Sequence, residues 1–475
     1  MMNQEQELKK EFLSQRAEFN QNEGIDESAF QERIRHQLGD SYRDFLACYE
    51  KERVYGLRYN PLKIEKEALV QQLLARQITL EQVPWAEEGF YYPPDTRPGK
   101  LPLHEAGAYY LQEPSAMAVV ELLAPKPGEV ILDLCAAPGG KSTQIAGRMQ
   151  GEGLLISNEI IPQRAKTLSR NIERMGVRNA VVLNESPKRL AERFLLYFDR
   201  ILVDAPCSGE GMFRKDPDAR GEWSLQQVQV CVKRQQEILS QAAAMLKPGG
   251  VLVYSTCTFA PQENEQMTEW FTEEYPQFTL EKSVQLWPHL AQGEGHYAAR
   301  FQKQGLGAKP QESGSSVPDR KTPGVGISKV RGNYASDYAQ FYDFCRETLS
   351  QQMQDWLARQ METGRIEPFG EQLYLLPSGI KRLDGLKTER PGLQLGCCKK
   401  RRFEPSHALA MALRADDVTQ TLELEEPEHF LRGETVFCGQ QKGYTLATIH
   451  GCSIGWGKAT QGILKNHYPK GLRRF

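Results

Sequence analysis

The sequence predicts an α/β protein built on a mostly parallel, doubly wound sheet, and three observations carry that prediction. From about residue 105 to 303, short apolar runs alternate with longer helical segments, the signature of a parallel sheet with crossover helices. One junction, Val130 to Thr143, passes directly from strand to a turn of small residues to helix. Two Cys-containing motifs about 50 residues apart, Asp204-Ala205-Pro206-Cys207-Ser208-Gly209 and Tyr254-Ser255-Thr256-Cys257-Thr258, each follow an apolar run that reads as a buried strand.

The elements follow in order. Residues up to about 50 read as helical, with Phe30, Ile34 and Leu38 spaced four apart on one stripe, and the region 1–104 is expected to be an accessory layer. Within the unit 105–303, strands are predicted at Val130–Asp133, Leu154–Glu159, Ala180–Leu183, Ile201–Asp204 and Val251–Ser255. Helices are predicted at Lys141–Met149, Pro162–Met175 and Leu225–Leu246, the last closed by Lys247-Pro248-Gly249-Gly250. Gly, Pro, Ser and Lys dominate 304–333, which reads as a linker. A small α+β unit, 334–391, holds a helix over Tyr338–Gln360 and a strand over Gln372–Leu376, and a final unit, 392–475, is rich in glycine and short strands.

Composition narrows the function classes. The 475 residues carry a formal net charge of −2, so nucleic-acid contact has to come from local patches rather than bulk charge. No stretch approaches 18 uninterrupted apolar residues and the N-terminus is polar, so neither a membrane span nor an export signal is expected. Ten cysteines without a regular framework point to a reducing cytoplasm. No Cys-x-x-Cys pair occurs and the vicinal Cys397-Cys398 is not a chelating arrangement, so no metal site is expected.

Residues just past the carboxyl ends of neighbouring strands in an open α/β sheet converge on one crevice, so Cys207, Cys257 and Asp204 are expected to share a site. Two thiols and a carboxylate suit a reaction on an unactivated pyrimidine carbon: a thiolate adding to C6 turns C5 into a nucleophile. A free cysteine taken singly is more often a small buried hydrophobe. The shared strand-end context is what favours chemistry. In the segment Asp133-Leu134-Cys135-Ala136-Ala137-Pro138-Gly139-Gly140-Lys141-Ser142, small residues let the backbone approach a ligand, and the helix N-terminus supplies free N–H groups. Gly140-Lys141-Ser142 matches the end of a phosphate-binding Walker loop, but the position five before Gly140 is Cys135 where that motif needs glycine. Glu159 ends the next strand, where an acid can accept hydrogen bonds from a ribose diol.

With these three motifs in this order, the chain resembles the S-adenosylmethionine-dependent RNA cytosine-C5 methyltransferases of the Sun/RsmF group. The resemblance extends to Leu111-Gln112-Glu113-Pro114-Ser115, Lys215-Asp216-Pro217, Phe259-Ala260-Pro261-Gln262-Glu263-Asn264-Glu265 and Arg402-Phe403-Glu404-Pro405-Ser406-His407-Ala408-Leu409. It implies a Rossmann-like methyltransferase core with a helical N-terminal extension and an α+β, PUA-like RNA-binding module at the C-terminus. It implies S-adenosylmethionine as cofactor, held by Cys135, Ala136, Ala137, Pro138, Gly139, Gly140, Lys141, Glu159, Arg164 and Asp204. Cys257 matches the family's nucleophile, Cys207 the thiol that assists product release, and Lys141 and Asp204 the residues that contact the cytosine. The implied partner is ribosomal RNA or the small ribosomal subunit, with the chain acting as a monomer. Related proteins carry an Asp for the adenine after the third strand, and here Asn184-Glu185-Ser186-Pro187 stands instead.

For holding RNA, the tail offers Lys399-Lys400-Arg401-Arg402, Gly455-Trp456-Gly457-Lys458, Lys465-Asn466-His467-Tyr468-Pro469-Lys470 and Arg473-Arg474-Phe475, cations interleaved with aromatics. Arg53–Lys63 is a second candidate contact, with a plain turn as its alternative. The competing functions are the same chemistry on transfer RNA, a non-catalytic ribosome-assembly factor, and DNA amino-methylation. The paired cysteines argue against the assembly factor. Exocyclic amines need no covalent thiol, and Ala205-Pro206-Cys207 stands where the DNA enzymes carry Pro-Pro-Tyr.

Overall fold

A computed structural model describes residues 27–215, 223–305, 338–363, 365–400 and 402–473. The linker expected at 304–333, Asp216 and Pro217 of the Lys-Asp-Pro motif, Arg401, Arg474 and Phe475 lie wholly or almost wholly outside the described residues.

The central layer is an eight-stranded sheet. Across it run Phe278–Leu286, His296–Lys303, Leu246–Thr256, Phe198–Asp204, Val130–Asp133, Leu154–Asn158, Ala180–Leu183 and Thr388–Arg390. The five strands from Leu246–Thr256 to Ala180–Leu183 are parallel, and both edges are closed by antiparallel strands. The predicted strands Val130–Asp133 and Ala180–Leu183 are observed with those bounds, while the other three differ at their ends. Apolar side chains cover both faces, with Leu132, Ile156, Ile201 and Leu252 in one cluster and Ile131, Leu155, Leu202 and Val253 in the other. Burial on both faces is why these strands read as continuous apolar runs rather than alternating ones.

The crossover helices follow from local signals. Pro162 opens the helix Pro162–Arg174 at the position where a missing N–H is harmless, and Ala165, Leu168 and Ile172 form its buried stripe. Ser224 caps Leu225–Met245 by accepting from the Gln227 N–H at 3.2 Å. The expected single helix over Tyr338–Gln360 is two, Ala339–Thr348 and Gln351–Thr363, because the chain becomes extended at Leu349.

Two helices open the N-terminal region, and a third, Lys66–Leu74, follows further on. Glu27–Leu38 and Tyr42–Ala47 bury Phe30, Ile34 and Phe45 against Phe213, Trp223 and Phe259 of the catalytic unit. Each such side chain contributes about 1.5–3 kcal/mol of burial. Beyond them the chain builds a four-stranded antiparallel sheet, ordered Glu81–Gln82, Gly89–Tyr92, Tyr55–Tyr59, Tyr109–Leu111, which extends past residue 104.

At the other end, Arg365–Phe369, Gln372–Leu376, Leu393–Lys399 and Arg402–Pro405 form one sheet that runs across the expected boundary at 391/392. A five-stranded sheet follows, containing Gly443–Ile449 and Cys452–Thr460. Its Ala447, Ile454 and Leu464 share a core with Leu57 and Phe90 of the N-terminal sheet and with Leu69 of the helix Lys66–Leu74. No helix among the described residues is long and apolar enough to cross a membrane.

Candidate active site

Parallel pairing sets the site. Asp204 lies in register with Ser255, so the loops leaving these two strands start at the same level. The Ser255 hydroxyl donates to Asp204 Oδ1 at 2.7 Å, and the Ala205 N–H donates to the Ser255 carbonyl at 2.9 Å. Cys207 and Cys257 therefore meet, with their sulfurs 3.4 Å apart, and the Cys257 N–H donates to Cys207 Sγ at 3.3 Å. Lys141, in the first turn of the helix Gly140–Met149, reaches across to Asp204 with Nζ 2.8 Å from Oδ2.

Electrostatics divides the labour. Burial pushes the Asp204 carboxyl up, but the charge of Lys141 and the hydrogen bonds from Lys141 and the Ser255 hydroxyl outweigh it and hold the group below its ordinary value. Lys141 is likewise held above its ordinary value, because Asp204 outweighs the cost of burial. The Cys207 thiol is pushed well up, first by its hydrogen bond with Cys257 and then by burial, so it stays protonated. A protonated thiol beside a second sulfur is a donor to that sulfur rather than a competing nucleophile.

The turn before Lys141 has the form a cofactor needs. Gly139 sits at φ 113°, where a side chain would be strained and would press on Leu168 at 3.1 Å. Asp133 Oδ2 accepts from Ser142 at 2.7 Å, while its Oδ1 is buried with no partner. Burial raises the Asp133 carboxyl to about 7. Burial likewise pushes the Cys135 thiol up, so it is an inert lining group. Glu159 is 3% exposed; Arg164 lies 3.4 Å from its Oε2 and also donates to the Ala137 carbonyl at 2.9 Å. A small-residue turn with Gly139 at positive φ, buried acids and a following helix N-terminus fit an adenosyl cofactor with a charged amino-acid tail. Asn184 is spent on the carbonyls of Glu159 and Ile160, at 2.7 and 2.9 Å, and Glu185 accepts from the Lys387 N–H at 2.8 Å. Among the described residues, no group of His, Cys, Asp or Glu side chains is arranged to hold a metal ion.

Three supporting residues escaped the sequence reading. Glu263, fully buried, accepts from the Ser208 N–H at 3.0 Å, from the Ser208 hydroxyl and from Gln235 at 2.8 Å, and so fixes the loop that carries Cys207. Arg58, 1% exposed, donates to Gln112 at 3.0 Å, to the Gly140 carbonyl at 3.0 Å and to Thr143 at 2.9 Å, tying the N-terminal sheet to the helix that holds Lys141. His296 opens the strand that pairs with Leu246–Thr256, and the charges of Lys141 and Asp204 act on its ring. Glu263 belongs to the segment Phe259–Glu265, whose sequence assigns it no role, whereas Arg58 reads as a surface cation.

That reading of Arg53–Lys63 as an RNA contact is corrected for two of its cations. Arg58 is buried as described, and Lys63 is buried with its ammonium on the Met411 carbonyl and 2.7 Å from Ser453 Oγ. Lys63 is a tie between the N-terminal region and the C-terminal units, and burial lowers its pKa to about 7. Two expected stacking platforms in the tail are also core residues. Trp456 is 2% exposed and donates to the Ser406 carbonyl at 3.1 Å, and Tyr468 is 3% exposed. Lys400, Lys458, Lys465, His467 and Lys470 do face solvent.

A parallel sheet with a glycine-rich turn after Val130–Asp133, an acid after Leu154–Asn158 and Asp-Ala-Pro-Cys after Phe198–Asp204 is the frame of a Rossmann-like methyltransferase. The chain matches the 16S rRNA methyltransferase RsmB/F family over residues 120–302, the N-terminal domain of 16S rRNA methyltransferase RsmF over 27–114, the RsmF first C-terminal domain over 343–413 and the RsmF PUA domain over 419–474. It is 33% identical over 467 residues to ribosomal RNA small subunit methyltransferase F of Escherichia coli and to that of Shigella boydii, covering 91% of this chain and 93% of each relative. A solved methyltransferase homolog from Pyrococcus horikoshii is 29% identical, with a TM-score of 0.53 over 58% of this chain and 94% of that one. NSun6 from Pyrococcus horikoshii shares the fold at 22% identity, with a TM-score of 0.53 over 57% and 97%. The chain belongs to the RsmF family of 16S rRNA methyltransferases.

Proposed function

We propose that this protein transfers a methyl group from S-adenosylmethionine to C5 of a cytosine in 16S ribosomal RNA through a covalent adduct between Cys257 and C6. The observation that carries the reading is the thiol pair, 3.4 Å apart, at the ends of two strands whose shared Asp204 is ion-paired with Lys141. Domain roles follow the same reading: the chemistry belongs to 105–303, and RNA is held by the C-terminal region with its exposed lysines.

The residues 135–141, Glu159, Arg164 and Asp204 would hold the cofactor, which supplies an electrophilic methyl group on a sulfonium. The chain's own residues do the rest. The Cys257 sulfur adds to C6, and the C5=C6 bond is lost. Asp204 and Lys141 offset the charge that develops on the ring by sharing a proton at N3 and by electrostatic attraction. C5, now electron-rich, takes the methyl group. Transfer of the C5 proton to water restores the C5=C6 double bond and expels the Cys257 sulfur as a thiolate, to which the Cys207 thiol donates a hydrogen bond as it leaves.

Replacing Cys257→Ala tests this directly. Without the C6 adduct the ring carbon is too weak a nucleophile, so transfer of radiolabelled methyl to RNA falls to background. Transfer near the wild-type rate would sink the covalent route.

A further inference from the structure

We propose that His296 accepts a hydrogen bond from the exocyclic amine of the target base and so selects cytosine over uracil, an inference that rests on the cytosine-C5 reading above. His296 is the first residue of His296–Lys303, the strand antiparallel to the one that delivers Cys257. Tyr297 is in register with Thr256, which brings the imidazole to the level of the nucleophile. The side chain is 6% exposed.

A short relay decides what the ring presents. The Ser115 hydroxyl donates its single proton to Glu113 Oε2, and Glu113 is itself fixed because its carboxylate caps the helix Pro114–Leu123 through the Ala116 N–H at 3.0 Å and accepts the Glu294 N–H at 2.8 Å. Ser115 Oγ lies 3.3 Å from His296 Nδ1. With its proton committed to the carboxylate, the serine oxygen can only accept, so Nδ1 carries the hydrogen and Nε2 is a bare lone pair.

That lone pair is buried and has no hydrogen-bond partner. The charges of Lys141 and Asp204 act on the ring, with Glu113 behind it; burial first, and then Lys141, hold the imidazole's pKa down at about 4. The ring is therefore neutral at ordinary pH and Nε2 can do nothing but accept. A buried acceptor left empty beside the reacting groups is a cost that the working complex removes when a donor arrives. At position 4 cytosine offers an N–H donor and uracil an oxygen acceptor, so the same lone pair attracts one base and opposes the other.

The test compares wild type with His296→Phe on one RNA carrying either cytosine or the pyrimidinone that lacks the 4-amino group at the target position. Thermal unfolding and S-adenosylmethionine affinity, both expected to be unchanged, establish that the variant is folded. On cytosine, kcat/KM for methylation is expected to fall by about tenfold to a hundredfold, the range for one lost hydrogen bond in a buried site. On the pyrimidinone, the rate of covalent adduct formation is expected to be the same in both proteins to within about twofold, because the partner amine is gone. An equal fall on both bases would overturn the proposal and leave His296 a residue that only shapes the site, and no fall on cytosine would overturn it outright. If wild type itself forms no adduct with either base, the covalent reading fails, a result separable from any property of His296.

Discussion

Removing Cys207 separates two halves of the reaction that no packing role would separate. The sulfur leaving C6 carries developing negative charge, and in the resting site the Cys207 thiol lies 3.4 Å from it, held protonated. A hydrogen bond to a charged acceptor contributes about 1.5–3 kcal/mol. Sulfur bonds belong at the lower end of that range, so Cys207→Ala is expected to slow release by about tenfold. Addition at C6 and methyl transfer precede that step and should proceed. The variant then accumulates as a protein–RNA complex that survives denaturing gel electrophoresis when substrate RNA and S-adenosylmethionine are present. Cys207→Ala also takes away the acceptor of the Cys257 N–H, a stability cost of about 1 kcal/mol that thermal unfolding will register. Cys207→Ser keeps both an acceptor and a donor there, so its complex should be shorter-lived. Adding Cys257→Ala should abolish the complex. A folded, cofactor-binding Cys207→Ala protein that forms no such species would refute the assignment of the two thiols.

Two further perturbations probe the surroundings. Reversing the exposed Lys458, Lys465 and Lys470 to glutamate should weaken RNA binding and flatten its salt dependence by about 2 in the log–log slope, taking about 0.7 per lost phosphate contact on single strands; filter binding across a salt series checks this, and an unchanged slope counts against it. Truncation at 392 is the poorer experiment, since Leu393–Lys399 pairs with Gln372–Leu376 and the cut would break that sheet. Burial raises the Glu263 carboxyl from 4.5 to about 7, so the folded state binds a proton that the unfolded state has lost between those values, and stability falls as pH rises through that window. Glu263→Gln removes the dependence and should gain on wild type by up to about 3 kcal/mol between pH 5 and 8, read from urea unfolding at the two pH values; a constant difference between the proteins would show that Glu263 does not titrate there.

The sequence by itself determined the layered α/β core, the turn at Cys135–Lys141 and the convergence of Asp204, Cys207 and Cys257. These are local or periodic properties: a buried parallel strand is a continuous apolar run, a close backbone approach needs small residues, and a strand's carboxyl end opens on the crevice wherever the sheet is parallel. The N-terminal sheet was illegible because its strands are two to five residues long and lie in a region whose opening helical stripe dominates the pattern. Only the tertiary structure decided the fate of individual polar side chains. Arg58 and Lys63 look like surface cations in a linear chain, yet each finds its partners 54 to 390 residues away, and a buried charge is tolerable only where distant backbone and polar side-chain groups happen to meet it. Trp456 is read as a stacking platform until its neighbours Phe344, Tyr444 and Leu446 enclose it. His296 carries no motif at all, and the direction of its lone pair depends on a serine 181 residues away whose proton is already taken. Composition and period fix which segments are buried, but the hydrogen-bond partner of a buried polar atom is set by the packing of segments remote in sequence, which no local pattern encodes.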